Sequence, residues 1–322
     1  MRKLMMAMLL FFTVALSVSS PIKFSEAQEV KYLYIATGTI GGSYYPLGQQ
    51  LAEIWNSNIP NIHVIPKVTG GTVNNLELLR EGNAHIAFLD GLYYYAYHGM
   101  GRYEGTPHKF IRAMAPLYPE PVQVLVAKGS NIKTLIDLKG KIVSIGAQKS
   151  GTEVTARELL RAAMLDPDKD IQGVHLGVYD TAKAFREKKI DAAIMVGTLE
   201  MAGVKEATDQ GLVELLEIPS PVIKKVIYQT PYWVPFTIPA NTYKGQDRDV
   251  KTYASWNILV VHQNLKADLV YELTKHFYAH KDKLEVCRKT MKTAIPENIN
   301  YILIPLHEGA EKYYNELESQ TP

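Results

Sequence analysis

The sequence predicts an α/β protein with two lobes, each a mainly parallel sheet flanked by helices, joined by a hinge. Two observations support this prediction. Short apolar runs alternate with amphipathic helical segments, and this alternation occurs in two separate parts of the chain. An extended segment broken by prolines lies between the two parts. The length of 322 residues is enough for about two domains.

The first α/β unit begins at residue 30. Residues 30–36 (VKYLYIA) form a nearly continuous apolar run, which is typical of a strand buried on both faces. Residues 46–56 (PLGQQLAEIWN) carry their large apolar side chains on one helical face. The pattern then predicts a strand at 61–68, a helix at 72–82 and a strand at 84–90. Strand, crossover and strand at this spacing indicate a parallel sheet covered by helices.

The second unit repeats this layout. We predict a strand within 138–147, a helix within 150–165, a strand at 174–178, a helix at 180–189 capped by Asp180, and a strand at 190–197.

Two extended segments are candidates for the connections between the units. Residues 115–129 contain three prolines followed by alternating valines, and residues 249–262 (DVKTYASWNILVVH) suit a return crossing. The predicted lobes are therefore 28–117 with 252–322, and 118–251.

The N-terminus predicts export. Residues 1–3 (MRK) are followed by an uncharged, mainly apolar run of 15 residues, shorter than the roughly 20 that a spanning helix needs. A basic start, this apolar run and the small residues Ser25 and Ala27 are typical of a secretory signal peptide covering residues 1–27. A signal-anchor helix is the alternative. If the signal peptide is cleaved during export, the mature protein is expected in the periplasm.

Composition excludes several classes of function. A net charge of +2 with no dense basic run gives no reason to expect nucleic acid as a partner. The single cysteine, Cys287, excludes an internal disulfide. Hydrophobic content of 47% and charged content of 21% are ordinary for a folded globular chain. No feature of the sequence calls for an oligomer, so we expect a monomer.

Three loops share one design, in which an apolar strand ends, small residues follow and a helix begins. They cover residues 37–44, 69–72 and 146–152. Because a helix start leaves backbone N–H groups unpaired and carries partial positive charge, such loops attract anions. Ordinary turn and cap chemistry would explain one such loop. Three of them at the carboxyl ends of parallel strands favour a ligand site.

Nucleotide and catalytic motifs do not fit these loops. The first loop lacks the G-x-G-x-x-G spacing, and the Lys149-Ser150 pair lacks the glycines of a phosphate-binding P-loop. Ser43 and Ser150 have no neighbouring base, and Ser150 with Glu153 forms a capping box. His276 and His280 have the spacing of metal ligands but lie in a lysine-rich segment typical of a solvated helix face. We therefore expect neither catalysis nor a cofactor or metal.

Two charged residues suggest what the ligand carries. Lys149 precedes the second unit's first helix and is a candidate partner for a ligand carboxylate. Asp90, if it faces the cleft, would favour an ammonium group, and the two together suggest a zwitterion. The alternative is a solvated Lys149 and an Asp90 that caps the following turn. Similarly, the tyrosine-rich segment at 92–97 would suit either a cleft wall or packing at the sheet rim.

The chain resembles the substrate-binding receptors of TRAP transporters, specifically the TAXI family. The resemblance covers nearly the whole mature chain, from IATGTIGGSYYPLGQQLAEIWN through VTGGTVNNLELLREGNAHIAF, APLYPEPVQVLV and DLKGKIVSIGAQKSGTEVTARELL to IPLHEGAEKYY. It implies a type II periplasmic binding protein that closes over a small organic acid or amino acid. It also implies delivery to the membrane permease subunits of a secondary transporter, and no enzymatic activity.

The resemblance and the loops together define the expected ligand-binding residues. The first loop departs from the family pattern at Thr39 and Ile40. The loops at 90–93 and 197–200 also depart, so the ligand is expected to differ from the family's commoner acids. The expected residues are Gly38, Thr39, Gly41, Gly42, Ser43, Tyr44, Thr69, Gly70, Gly71, Thr72, Asp90, Gly91, Tyr118, Lys149, Ser150, Gly151, Thr152, Gly197 and Thr198.

Three alternatives stay open from sequence. An enzyme acting on a small organic acid could use the same two-lobed fold, since fold does not fix function. A receptor for a different transporter type, or a sensor without a permease, would share the same cleft.

Overall fold

A computed structural model describes residues 30–320 of the protein, so the predicted signal peptide lies outside the described residues. Ten strands in this part of the chain form one continuous, mixed sheet. They are β1 (Lys31–Ala36), β2 (Ile62–Lys67), β3 (Ile86–Leu89), β4 (Ile111–Ala127), β5 (Ile142–Ser144), β6 (Gln172–Val174), β7 (Ala192–Val196), β8 (Val213–Leu216), β9 (Trp233–Ile238) and β10 (Val250–His262).

Helices cover both faces of this sheet. They are α1 (Tyr44–Asn58), α2 (Thr72–Arg80), α3 (Tyr93–His98), α4 (Gly151–Ala162), α5 (Val178–Arg186), α6 (Ala202–Asp209), α7 (Ser220–Gln229), α8 (Ala267–Ala279), α9 (Lys281–Cys287) and α10 (Glu308–Gln320). Short 3₁₀ turns lie at Gly101–Tyr103, Leu135–Leu138, Lys289–Thr293 and Pro296–Tyr301.

The strand order is β2-β1-β3-β10-β4-β7-β5-β6, with β8 also paired to β4 and β9 to β10. At one end β1 pairs in parallel with β2 and β3, and at the other β5 pairs in parallel with β6 and β7. We call the elements β1 to α3 the first unit and the elements β5 to β8 the second unit. The alternation that the sequence predicts is therefore present in both.

Two long antiparallel strands, β4 and β10, join the units. Residues 111–121 of β4 pair with β10, whereas residues 122–127 pair with β7 and β8. Pro116, Pro119 and Pro121 lack the N–H that a regular ladder needs, and the β4–β10 pairing shifts register twice. The proline-broken segment is thus the shared centre of the sheet. The exact lobe boundaries stay a prediction.

Each unit has its own apolar core. Leu47, Leu51, Ile54 and Trp55 of α1 are almost fully buried, in a cluster that also contains residues of α8. In the second unit, Leu159 and Leu160 of α4 are fully buried in a separate cluster. The carboxyl ends of the parallel strands of both units lead into loops that meet between the units.

Two details of the second unit differ from the sequence prediction. The strand predicted at 174–178 lies at 172–174, and the following helix begins at Val178 with Gly177 as its N-cap, so Asp180 is not the cap. Asp180 instead occupies the first turn of α5, where a carboxylate is favourable beside the positive end of the helix.

Candidate functional site

A cavity of about 70 Å³ lies where the loops after β1, β2, β3, β5, β6 and β7 meet. One ordered water needs ~10–15 Å³ by the same measure, so the space holds a small solute rather than a single water. It is lined by Gly38, Thr39, Gly42, Ser43, Tyr44, Gly70, Gly71, Thr72, Asp90, Glu120, Gly146, Ala147, Ser150, Gly151, Thr152, Leu176, Gly177, Val178, Met195, Val196, Gly197 and Met201.

Four helices begin at this cavity, two from each unit. Their N-caps are Ser43 for α1, Gly71 for α2, Ser150 for α4 and Gly177 for α5. Only α4 among these four has a side-chain cap, in which the Ser150 hydroxyl accepts from the Glu153 N–H at 3.0 Å. The other three starts have no side-chain cap, so they present backbone N–H groups and positive partial charge to an anion.

Glycine is required where the units approach each other. Gly71 has φ +115°, a conformation that side chains disfavour. At Gly151, an added Cβ would lie 1.6 Å from Asp90 Oδ2. The start of α4 therefore sits directly against the carboxyl group at the end of β3, which places a helix N-terminus and an acid side by side.

Asp90 both lines the cavity and caps the turn after β3. Its side chain is 7% exposed, and Oδ1 accepts the Leu92 N–H at 3.0 Å. Burial raises the pKa of Asp90 to about 6, although the hydrogen bonds from Leu92 and Thr72 oppose that rise. Asp90 therefore faces the cavity and also caps the turn, and its contact with a ligand ammonium group stays a prediction.

Glu120 is a second buried acid at the cavity, and sequence reasoning missed it. It is 4% exposed, and burial together with the nearby Asp90 charge raises its pKa to about 8. The Tyr44 hydroxyl lies 3.4 Å from Glu120 Oε2 and donates to Asn257 Oδ1. The available signal was a glutamate between two prolines in a mainly apolar strand.

The charges at the cavity are asymmetric. Asp90 and Glu120 line it, whereas the lining residues include no lysine, arginine or histidine. Arg288 lies behind the first loop, where its Nη2 donates to the Gly42 carbonyl at 3.2 Å. Positive potential at the cavity therefore comes from backbone N–H groups, and negative potential from two carboxyl groups.

Direct contacts cross the cleft, so the units are closed over the cavity. Ser43 Oγ and Thr198 Oγ1 are 2.7 Å apart, and the Asn74 N–H donates to the Lys149 carbonyl at 3.1 Å. Lys149 Nζ forms a salt bridge of 3.0 Å with Glu77.

Most of the residues expected from sequence line the cavity together. These are Gly38, Thr39, Gly42, Ser43, Tyr44, Gly70, Gly71, Thr72, Asp90, Ser150, Gly151, Thr152 and Gly197. The others surround the cavity without lining it: Gly41, Thr69, Gly91, Tyr118, Lys149 and Thr198. The binding roles of both groups stay predictions.

These six residues lie outside the cavity lining for different reasons. The Thr69 hydroxyl donates within its own unit, to the Thr37 carbonyl at 3.0 Å. Tyr118 is fully buried, and Gly91 lies under the ring of Tyr232, which an added Cβ would approach to 2.2 Å. Lys149 faces Glu77 across the cleft, and its side chain is 56% exposed.

The tyrosines after β3 take part in packing. None of the residues 93–97 lines the cavity. Tyr94 and Tyr95 of α3 contact the ring of Tyr232, and the Tyr95 hydroxyl lies 2.8 Å from Thr230 Oγ1. This aromatic contact connects the first unit to the end of α7.

Within residues 30–320, no group of three or more His, Cys, Asp or Glu side chains is placed to hold a metal ion. No helix of the same part of the chain is long and apolar enough to cross a bilayer. Backbone N–H groups, hydroxyls and two carboxyl groups are among the polar groups that line the cavity.

A sequence model of the NMT1-like family matches residues 35–317. The chain belongs to the NMT1-like family. The matched range includes every residue that lines the cavity and both strands that join the units.

Solved structures resemble this NMT1-like protein at low sequence identity. A protein from Bordetella bronchiseptica RB50 is 17% identical, with a TM-score of 0.51 over 88% of this chain and 80% of its own. A structure from work on glutathione import via GshT and the cystine ABC importer TcyBC of Streptococcus mutans is 13% identical, with a TM-score of 0.50 over 82% and 96%. The periplasmic aliphatic sulphonate binding protein SsuA from Escherichia coli is 17% identical, with a TM-score of 0.46 over 89% and 83%.

At these identities the similarity concerns the fold. The NMT1-like chain has the α/β architecture of type II periplasmic binding proteins, with a mixed sheet flanked by helices. The fold class predicted from the sequence is confirmed.

Proposed function

We propose that this NMT1-like protein is an extracytoplasmic solute-binding receptor that captures a small zwitterion, such as a polar or acidic amino acid. The observation that carries the proposal is the convergence of four helix N-termini and two buried carboxyl groups on one cavity between two units. Such a cavity offers N–H donors to a carboxylate and carboxyl groups to a cationic group of the same small ligand.

The anionic group of the ligand is held by backbone N–H groups. Three of the four helix starts have no side-chain cap. The Asn74 N–H of α2 donates to the Lys149 carbonyl, so the remaining N–H groups of these starts are the ones available to an anion. Ser43, Thr72 and Thr152 add hydroxyl donors at the same positions. A carboxylate there needs no lysine or arginine, because several aligned peptide dipoles stabilise it together.

The cationic group of the ligand is held by Asp90 and Glu120. With pKa values of about 6 and about 8, these two acids share less than two negative charges near neutral pH. An ammonium group beside them lowers both pKa values and restores the ionised forms. A dicarboxylate has no such partner, so we place an amino acid above the dicarboxylates and 2-oxoacids as ligand.

Delivery to a TRAP-type permease and location in the periplasm are parts of the same proposal. The support is the sequence resemblance to TAXI receptors, the predicted signal peptide and the fold. The proposed lobes are 28–117 with 252–322, and 118–251. Uptake into proteoliposomes that carry the permease subunits tests delivery: it should need this protein and an ion gradient, and proceed without ATP.

Ligand capture can be tested by thermal shift on the mature protein after unfolding and refolding, which removes carried-over ligand. The panel contains amino acids, dicarboxylates, 2-oxoacids and sugars. A ligand at 100 times its Kd adds about 2.7 kcal/mol, or about 5 °C for a chain of this size. A shift confined to amino acids, with the ligand recovered unchanged, supports the proposal. A flat panel refutes it, and recovery of a converted product indicates an enzyme.

Asp90→Asn tests the role of the carboxyl group. We expect the affinity for the amino acid found in the panel to fall at least ten-fold, a loss of about 1.4 kcal/mol. Asn retains the side-chain oxygen that caps Leu92, so the turn is preserved. The matched control is Asp247→Asn, because Asp247 is exposed and outside the cavity. Equal affinity in both variants would contradict the zwitterion assignment.

A further inference from the structure

A second cavity, about 570 Å³ in volume, lies beside the loop that follows β7. One wall is formed by residues 198–200, which directly follow the Gly197 position of the first cavity. The opposite wall is formed by the end of α9 and the 3₁₀ turn after it, residues 286–293. We call this cavity the 286–293 groove. Its volume lies in the range of cavities that bind small organic molecules.

The groove has an apolar part. Pro119, Leu199, Phe236 and Val286 line it. Val286 is 89% exposed, which is unusual for an aliphatic side chain at the end of a helix. An apolar ligand body would remove this surface from water, at about 25 cal/mol per Å² buried.

The groove also has an excess of positive charge. Arg288, Lys289 and Lys292 line it, whereas Glu200 is its one acidic lining residue. Among residues 30–320, the salt bridges involve none of these three cations. Three unpaired cations around one cavity produce a positive potential that attracts an anion.

Two donors at this wall have no acceptor. Arg288 Nε and Thr290 Oγ1 are buried and make no hydrogen bond in the described part of the chain. Arg288 uses one of its other nitrogens, Nη2, to hold the Gly42 carbonyl. A buried donor without a partner is unfavourable, and an anion held at this wall would supply the acceptor.

We propose that the 286–293 groove is a second binding site, for an organic anion with one acidic group and an apolar body. The acidic group lies against Arg288, Lys289 and Lys292, and the body lies against Leu199, Phe236 and Val286. The site is separate from the zwitterion cavity, since it has the opposite side-chain charge and far more apolar surface.

The fluorescent probe 1-anilinonaphthalene-8-sulfonate tests this site, because it carries one sulfonate on an aromatic body. The full mature protein should bind it saturably. Lys289→Gln/Lys292→Gln should raise the Kd at least five-fold, and both lysines are exposed, so the fold is retained. The control Lys266→Gln/Lys283→Gln removes the same charge from exposed positions outside the groove. Equal Kd values in the two double variants would overturn the proposal.

Cys287 gives an independent readout, because the chain's single cysteine also lines the groove. Its side chain is partly exposed, so the thiol can be alkylated with neutral iodoacetamide. Saturating probe should slow this alkylation at least three-fold in the wild-type protein and in the control variant. At the same probe concentration, alkylation of Lys289→Gln/Lys292→Gln should be slowed much less. Alkylation that is unaffected by bound probe would place the probe elsewhere and refute the site.

Discussion

Glu120→Gln should stabilise the ligand-free protein and weaken ligand binding. The substitution keeps the shape of the side chain and removes its ability to ionise. Because burial raises the pKa of Glu120 from 4.5 to about 8, the native carboxyl is mostly protonated at pH 7, whereas the unfolded one is ionised. Folding therefore takes up a proton at this site, and the uptake becomes less favourable as pH rises.

The size of the effect follows from the shift in pKa. Taking up that proton costs about 1.36 kcal/mol for each pH unit above 4.5, so the cost at pH 7 is about 3 kcal/mol. The pKa of Glu120 is higher in the native state than in the unfolded state. The wild type therefore keeps its full stability below pH 4.5 and loses stability as pH rises from 4.5 to 8. Above pH 8 its stability no longer changes with pH through this group. Glu120→Gln lacks this loss, and its advantage at pH 7 should be about 3 kcal/mol.

Urea unfolding of refolded, ligand-free protein between pH 4.5 and 8.5 measures this difference. The two stability curves should meet near pH 4.5 and separate steadily up to pH 8. Glu214→Gln is the control, because Glu214 is exposed on β8, and its curve should follow the wild type. A difference that does not change with pH, or a Glu120→Gln protein that is less stable at pH 8, would refute the account of the buried carboxyl.

Three further changes test the cleft and the cores. Gly70→Ala would place a Cβ 2.6 Å from the Gln148 carbonyl oxygen across the cleft, so the radius of gyration from small-angle scattering should rise. Leu51→Ala opens a cavity at a fully buried position and should cost about 2–5 kcal/mol in urea unfolding. Tyr95→Phe removes the hydrogen bond to Thr230 and should cost about 1 kcal/mol by the same measurement.

Each of these changes has a matched comparison. Gly173→Ala adds the same methyl group where the nearest atom is 3.5 Å away, so scattering should match the wild type. Val286→Ala shortens an exposed aliphatic side chain and should leave stability within about 0.5 kcal/mol of the wild type. Tyr228→Phe removes a hydroxyl from an exposed ring and serves as the control for Tyr95→Phe. A variant that behaves as its control would contradict the contact assigned to it.

The sequence predicts the first unit closely because its elements depend on local patterns. The strand predicted at 30–36 is β1, the helix predicted at 46–56 lies within α1, and the strand at 84–90 contains β3. Each is set by a run of buried apolar side chains of matching period. The grouping of the three small-residue loops follows from these strands, because parallel strands place their carboxyl ends at one edge of the sheet.

Other features depend on contacts that no local pattern contains. Glu120 belongs to the site only because β4 crosses between the units, so its neighbour Asp90 comes from a distant part of the chain. The α5 start was misplaced because Asp180 has the side chain of a cap, whereas Gly177 takes that place at the cavity. We assigned no helices or strands to residues 198–249 from the sequence, and the structure forms α6, β8, α7 and β9 there.

The arrangement of charge also explains how the proposed site would select its ligand. Helix N-termini alone would accept any small anion, including chloride, sulfate and dicarboxylates. Asp90 and Glu120 change this, because a second anionic group near them meets like charge in a site where burial has already made ionisation unfavourable. An ammonium group meets attraction at the same place. In the proposed site, discrimination would then come from repulsion of the wrong ligand as much as from contacts to the right one.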